Sequence, residues 1–586
     1  MTRARELLLV ACAATLITMA VTWPIAPHFG SAGRLDSSDG RFSVWNVVWV
    51  ANALTSDPLD LWDANIFYPA RQTLAYSEPN IFAGAVASPV WVLTKNPYAA
   101  GNAAIFAAFI LAAVTMFALV RHLTGSRPAA VLAAILYAFS AYMLAHVPHI
   151  QLLMTFGLPL VLLRLHIFVE EPRPQTAVWL GAALALQALA CGYYGIFAGL
   201  MTVLGLGWFS AWSGRWRDGR YWLLGLVAVA TSVAIVAPFF APYLGIRDAG
   251  FTRSLEEARL FRAGWRAYLA SPQLVNRWLL PLLGTWREVL FPGFIVIGLA
   301  AATVVKLARP RARGELPTSA RVVGFYLVLT FVAFWASFGP DAGLYTALYH
   351  LMPLMSMIRA PARLGVLVTL ALVVVATIGF AAMERRWTGS RRRIMLAVVM
   401  VYALVRSSAG ALAIVPAPVV APAYQHLRDL PRAPVAEFPY FNGRDDAHRQ
   451  TEYMLMSLQH WQPLLNGYSD FVSPAAARDM QALASFPSPD AWRVLHRRDA
   501  RYIVFHWDWY DAADQDHVQE YVARSADYLR PLIEGDTALY EIIEWPPGLW
   551  PGTTGSGFST APVDSETQAK PVTNRTANMD GGRVLR

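Results

Sequence analysis

The residues best suited to acid–base chemistry lie close together near the start of the chain. Asp36, Asp39, Gly40 and Arg41 come first, then Trp45 and Trp49, then the run from Asn65 to Pro69. Arg71, Tyr76, Ser77, Glu78 and Pro79 follow, and finally Asn96, Pro97 and Asn102. A carboxylate held against an apolar surface has a raised pKa and can take a proton from a hydroxyl or an amine. Asp39 and Glu78 are the carboxylates suited to that work. The plainer reading is that Asp36, Asp39 and Glu78 only solvate a loop or cap helices, and the residues alone favour it. The chain has no phosphate-binding loop of the P-loop type, no dinucleotide fingerprint and no HExxH pair. Its two cysteines, Cys12 and Cys191, sit in apolar runs, which excludes a disulfide framework and a cysteine-rich metal site.

The elements that must position these residues are membrane spans. Of 586 residues, 56% are apolar and only 15% charged, against about 45–50% and about 25% in soluble domains. Twenty-one Trp and 23 Tyr suit a chain with many interfacial aromatic positions. A span needs about 20 apolar residues. Eleven are expected, at 5–26, 101–122, 127–147, 150–170, 176–194, 195–212, 222–245, 287–308, 321–338, 363–384 and 394–415. Arg406 falls near the middle of the eleventh, an expensive place for a charge.

Short clusters of basic residues mark one side of the bundle. They begin with Arg3 and Arg5, recur at Arg121, Arg127, Arg173, Arg215 and Lys306, and end with Arg391 to Arg393. The positive-inside rule makes that side cytoplasmic. It places the N-terminus inside and the C-terminal region outside. The net charge of +9 therefore reads as loop charge, and nucleic-acid binding is not expected. The first span resembles a signal segment, and Leu9 to Cys12 resembles a lipoprotein box. The long apolar run and the early position argue for an uncleaved anchor.

Three outside segments are long: 27–100, 246–286 and everything after 416. Loops of this length carry function or their own structure. Stretches 43–54 and 81–94 are apolar but too short to span, so they should lie along the interface or dock on the bundle. In 246–286, Arg247, Arg253, Arg259, Arg262 and Arg266 alternate with Glu256 and Glu257, as a solvated helix face or, less favoured, as a helix on anionic headgroups. The domains expected are a membrane module, 1–415, an extracytoplasmic α/β domain, 416–550, and a disordered tail, 551–586. In the α/β domain, 434–438 and 501–506 read as strands, and 474–485 and 514–529 as helices.

The series of short motifs resembles the GT-C superfamily of integral membrane glycosyltransferases, and within it a largely uncharacterised bacterial branch. The likeness runs through Asp39, Trp45, Pro58, Asp63, Asn65, Phe67, Tyr68, Pro69, Tyr76, Ser77 and Glu78. It continues at His146, His149 and Gln151, at Ile358, Arg359, Pro361 and Arg363, and at Glu437, Pro439, His460, Asn466, Gly467 and Tyr468. The resemblance implies a mainly α, polytopic GT-C-like bundle of about eleven spans with a C-terminal soluble α/β domain. It implies a multi-pass protein of the bacterial inner membrane. It also implies transfer of a sugar from a polyprenyl-phosphate donor to a glycan, lipid or protein acceptor on the extracytoplasmic face.

By position Asp39 takes the role of the base, with Asp36 as runner-up. Many members have two adjacent acidic residues there, where this chain has Asp39 and Gly40. Glu78 would be a second catalytic carboxylate, or a ligand if a divalent metal is used; members differ in that requirement. His146, His149, Gln151, Arg359 and Arg363 would contact the donor phosphate. A tight helical hairpin around Pro148 and snorkelling arginines are the structural alternatives. His460, Asn466 and Tyr468 would line the acceptor groove, with a packed turn as the alternative. His506, Trp507 and Trp509 fit a sugar platform and a buried strand end equally well. A different class of function, a lipid-linked glycan transporter or assembly factor, would require a polar path through the bundle. The apolar spans offer few residues for one.

Overall fold

The computed structural model describes residues 2–248, 252–286, 288–308, 318–443 and 445–549. The expected tail, 551–586, lies outside them. Each expected span falls on a helix. In order these are α1 (Arg3–Val21), then, after the loop helices α2 (Ser38–Ser56) and α3 (Ile81–Thr94), α4 (Pro97–Thr124) and α5 (Arg127–Ala138). α5 continues through Ala141–Ala145, and Ile150–Leu153 leads into α6 (Gly157–Glu170). Then come α7 (Pro174–Ala190), α8 (Gly192–Trp212), α9 (Gly219–Asp248), α10 (Phe294–Ala308), α11 (Thr318–Ser337), α12 (Gly365–Glu384) and α13 (Gly389–Arg406).

Among the described residues, eight helices are long and apolar enough to cross a membrane. This is a multi-pass membrane protein. α7, α10 and α13 fall outside that set; α10 has only 15 residues, and α13 opens on Arg391 to Arg393. α12 is apolar on all sides because protein surrounds it: it packs on α5, α10 and α11. Buried acids at the basic side are neutralised, Glu6 by Arg121 and Arg127 and Glu384 by Arg392.

Several boundaries differ from the sequence reading for local reasons. The break between the fifth and sixth expected spans falls at Cys191, in extended backbone, rather than after 194. α13 stops at Arg406, ahead of Gly410 with φ +84°. Arg406 is therefore a terminal residue. Its buried guanidinium donates to the Pro292 carbonyl at 2.8 Å. The helix of the eighth expected span begins at Phe294, after Pro292 and Gly293, and not at 287. The loop 246–286 forms no single amphipathic helix. Among its described residues it holds two short helices, Leu255–Leu260 and Leu280–Leu283, and further helical turns.

α2 and α3 are docked on the bundle rather than spread on its surface. α2 buries Trp45, Val47, Val48 and Val50 against α3, α4 and the C-terminal region. That region adds α14 (Pro422–Asp429), β1 (Val435–Phe438), α15 (Gln450–Ser457), α16 (Pro474–Leu483), α17 (Pro489–Arg497), β2 (Tyr502–His506), α18 (Ala512–Ala523), β3 (Leu529–Ile533) and β4 (Thr537–Ile542). The sheet order is β1-β2-β4-β3, with β1 and β2 parallel and the other pairs antiparallel. β1 and β2 are buried along their whole length, including Glu437 and His506, which bond each other. Pro531 is tolerated because β3 is an edge strand. The expected helix 514–529 ends at Ala523, and the β3–β4 hairpin turns at Gly535 with φ +140°.

Candidate active site

Ser37 precedes α2 and caps it, its side chain accepting from the Gly40 N–H at 3.2 Å. Asp39 lies in that first turn, where the helix dipole favours an anion. Asp36 is occupied elsewhere: Arg34 donates to both of its oxygens, at 2.9 and 3.1 Å. Asp39, not Asp36, faces the site. The glycine beside it has a steric cause. A Cβ on residue 40 would lie 1.7 Å from the Arg34 carbonyl oxygen, so no second acid fits there. Gly40→Ala should displace the start of α2, at a cost of about 1–3 kcal/mol or more. It should reduce any Asp39-dependent activity together with thermal stability. Equal melting temperatures for variant and wild type would refute this.

The turn between the third and fourth spans meets α2 at that point. Ser43 donates to the Pro148 carbonyl at 2.9 Å. His149 Nε2 lies 3.0 Å from Asp39 Oδ2, with the two side chains 30% and 36% exposed. Burial works against the Asp39 charge. The His149 hydrogen bond and the charges of His149, Arg363 and Arg359 outweigh it and hold the carboxyl below its ordinary value. His146 turns the other way. Its Nδ1 lies 2.8 Å from the Tyr142 carbonyl, and its Nε2 lies 3.8 Å from Glu288. Gln151 keeps a buried side-chain oxygen without a partner among the described residues. The hairpin reading thus describes His146 in part, while His149 is turned to the carboxylate.

The two arginines of the Ile358–Arg363 motif divide their work. Arg359 pairs with Asp470 at 3.2 Å and Glu257 at 3.4 Å, and stacks over Phe261. Arg253 reaches the same two carboxylates, at 3.4 and 2.8 Å. Asp470 also accepts from Ser77 at 3.1 Å. This hub ties the first loop, the 246–286 loop and the C-terminal domain together, and sequence reasoning missed it. Asp470 directly follows the Tyr468-Ser469 end of the motif, which was the available signal. Arg363 is different. Its guanidinium lies over the Tyr193 ring at 4.7 Å, and it has no carboxylate within 4 Å among the described residues. Its charge acts on Asp39, Glu78, Glu288 and Asp470.

Glu78 accepts the Gly192 N–H at 2.9 Å, at the start of α8. Burial pushes its carboxyl up to about 7, against the pull of the Gly192 N–H and Arg363. An acid raised in the fold holds a proton that the unfolded chain has released. Stability is then full below the ordinary value and is lost as pH rises through about 7. The loss is on the order of 3 kcal/mol. Glu78→Gln keeps the acceptor and removes the charge. Its melting temperature should exceed that of wild type at pH 8 and converge with it near pH 5. Parallel pH slopes would refute the assignment.

The acceptor-groove residues separate. Tyr468 faces the site: its ring lies 6.4 Å from Phe42, and burial, followed by the Asp39 charge, raises its pKa. Asn466 is buried and clamps β1, accepting from the Glu437 N–H and donating to the Glu437 carbonyl and to Gln450. His460 is buried against the Tyr424 ring, with its Nδ1 accepting from the Gln462 N–H. Burial lowers its pKa to about 3. His506 is likewise internal, bonded to Glu437 and Tyr424 and stacked on Trp509.

The first-loop motif itself is a seam. The Phe67 and Tyr68 N–H groups donate to the Asn466 and Leu464 carbonyls, and the Leu464 N–H donates to the Asn65 carbonyl. Trp45 donates to Asn65 and Trp49 to the Leu61 carbonyl. Gly467 leaves room for the Phe67 ring, 2.8 Å from where a Cβ would stand. Among the described residues, no three His, Cys, Asp or Glu side chains form a group that could hold a metal ion.

A carboxylate and a guanidinium with no carboxylate partner among the described residues, held by loops on one end of a helical bundle, define the class of site. Comparison with solved structures finds one that shares the fold and others that are more distantly similar. The arabinofuranosyltransferase AftD from Mycobacteria matches at a TM-score of 0.52 and 15% identity, over 92% of this chain and 40% of its own. The Archaeoglobus fulgidus oligosaccharyltransferase matches at 0.43 and 14%, over 86% of this chain and 70% of its own. ArnT from Cupriavidus metallidurans, bound to undecaprenyl phosphate, matches at 0.39 and 12%, over 94% and 99%. The chain thus spans well under half the length of AftD. No family model matches its sequence, and no curated protein is significantly similar. The fold is shared with that of the arabinofuranosyltransferase AftD.

Proposed function

We propose that the protein is a glycosyltransferase that moves a sugar from a polyprenyl-phosphate donor to an acceptor on the outer face of a bacterial inner membrane. One observation carries this reading: Asp39, held ionised by His149, stands in the field of Arg363, a guanidinium without a carboxylate partner among the described residues. Transfer needs both groups. Asp39 takes the proton of the acceptor hydroxyl or amine. The acceptor atom attacks the anomeric carbon, and the bond to the phosphate oxygen breaks. A single displacement of this kind inverts the anomeric centre. Arg363 meets the charge left on the phosphate, as a guanidinium fork suits. His149 fixes the orientation of Asp39. Arg359, drawn into the Asp470 hub, shapes the site and lends charge to it. Tyr468 contributes the C-terminal domain's side of the acceptor path, and Glu78 the wall beside α8.

The test is release of polyprenyl phosphate. Purified protein is given a panel of polyprenyl-phosphate sugars with and without acceptor extracts. Release from wild type establishes the donor class. A folded protein that binds these lipids and releases nothing from any of them would refute the reading.

A further inference from the structure

We propose that Glu288 is a second acid–base carboxyl of this site and gives a proton to the departing phosphate. The inference rests on the transfer reading above. The acceptor atom bonds to the anomeric carbon, and its proton ends on Asp39. The carbon–oxygen bond to phosphate breaks, and that oxygen takes the Glu288 proton. The products are the glycoside, a polyprenyl hydrogen phosphate and an ionised Glu288. Asp39 then releases its proton to water and Glu288 regains one from water.

The geometry places Glu288 beside the phosphate seat. Its segment lies on the start of α12: Leu290 packs so close to Gly365 that a Cβ there would stand 2.7 Å from it. Arg363 precedes that glycine by two residues. The Glu288 side chain is 18% exposed, yet among the described residues it makes no hydrogen bond, so it is not spent on holding the fold.

The tautomer of His146 decides the protonation of Glu288. A carbonyl only accepts, so His146 Nδ1, 2.8 Å from the Tyr142 oxygen, carries the ring hydrogen. Nε2 then presents a lone pair toward Glu288 at 3.8 Å. A largely buried carboxyl facing a lone pair is stabilised with its proton on. The groups around it are His146 and His149 from the turn, Tyr142 from Ala141–Ala145, and Arg363. Burial raises the Glu288 pKa, against the charges of Arg363 and His149. Burial also lowers that of His146 to about 3, which keeps the ring neutral.

Two measurements on the full-length protein test this. The first needs no donor. Infrared spectra at pH 7 should show the C=O stretch of a protonated carboxylic acid, shifted in D2O and lost in Glu288→Gln. Glu78→Gln separates any contribution from that residue. An unchanged band in Glu288→Gln overturns the proposal. The second uses the donor that wild type turns over. Glu288→Gln should lower kcat about 100-fold, leave the donor KM within about threefold, and abolish the fall in rate at high pH. Binding of undecaprenyl phosphate serves as the fold control. A variant with wild-type kcat and an intact high-pH limb overturns the proposal while leaving the transfer reading standing. Absence of release from wild type overturns the transfer reading instead.

Discussion

Replacing Asp39 with Asn is expected to lower sugar transfer by about two to four orders of magnitude, the range that a positioned general base supplies, while the protein stays folded. Asn keeps the size of the side chain and an oxygen that can accept from His149, so the Asp39–His149 contact at 3.0 Å has a surviving counterpart. The change removes only the capacity to take a proton. Donor binding should stay near wild type, since the phosphate is assigned to Arg363. The wild-type rate should hold as pH falls through the ordinary carboxylate range, because His149, Arg363 and Arg359 keep Asp39 ionised there. The check is kcat for both proteins with one donor, alongside undecaprenyl phosphate binding. Full activity in Asp39→Asn would remove this carboxylate from the mechanism. Loss of binding together with activity would assign it to donor recognition instead.

Asp39, His149 and Arg363 were all legible as candidates, because polar residues stand out in loops between apolar runs. Their grouping was not. Asp39 and His149 are 110 positions apart, and nothing in either local sequence names the other. Glu288 was hidden for a physical reason. Starting the apolar run of the eighth span at 287 places this acid inside the membrane. The signal against that start is Pro292-Gly293, a breaker that lets the helix begin only at Phe294. The last hairpin carries the same kind of signal. Gly535, between Glu534 and Asp536, marks its turn, and β3 begins at Leu529, the residue where the expected helix ends. The spanning helices were legible because apolar length is a direct consequence of bilayer thickness.

Motif residues were harder to interpret than to find. Asn65, Phe67, Tyr68, Asn466 and Gly467 carry the resemblance, yet here they form the seam that fastens the first loop to the C-terminal domain. Their effect on chemistry is indirect. The seam fixes α2, and α2 fixes Asp39. Arg41 adds a second fastening two residues from the carboxylate, donating to Thr451 at 3.2 Å and pairing with Glu452 at 3.5 Å. A short, well-ordered motif marks whatever the fold must hold still, and that includes its joints.

Replacing Arg363 with Ala is expected to weaken undecaprenyl phosphate binding by about 30-fold or more, the equivalent of at least about 2 kcal/mol for a desolvated charged contact. The other arginines cannot substitute for it. Arg359 and Arg253 share Glu257 and Asp470, so moving either toward a phosphate leaves a carboxylate behind. Arg363→Lys should fall between Ala and wild type, since it keeps the charge but loses both the planar fork and its stacking on Tyr193. A second effect follows from the same charge. Without Arg363, the Asp39 carboxyl loses one of the cations that hold its pKa down, and the low-pH limb of the transfer profile should move to higher pH. A residue that served only as an interfacial anchor would alter neither the binding of a phosphate nor the titration of Asp39. Binding and pH profiles that match wild type in Arg363→Ala would therefore return this arginine to the role of an anchor and leave the phosphate without an assigned partner among the span residues.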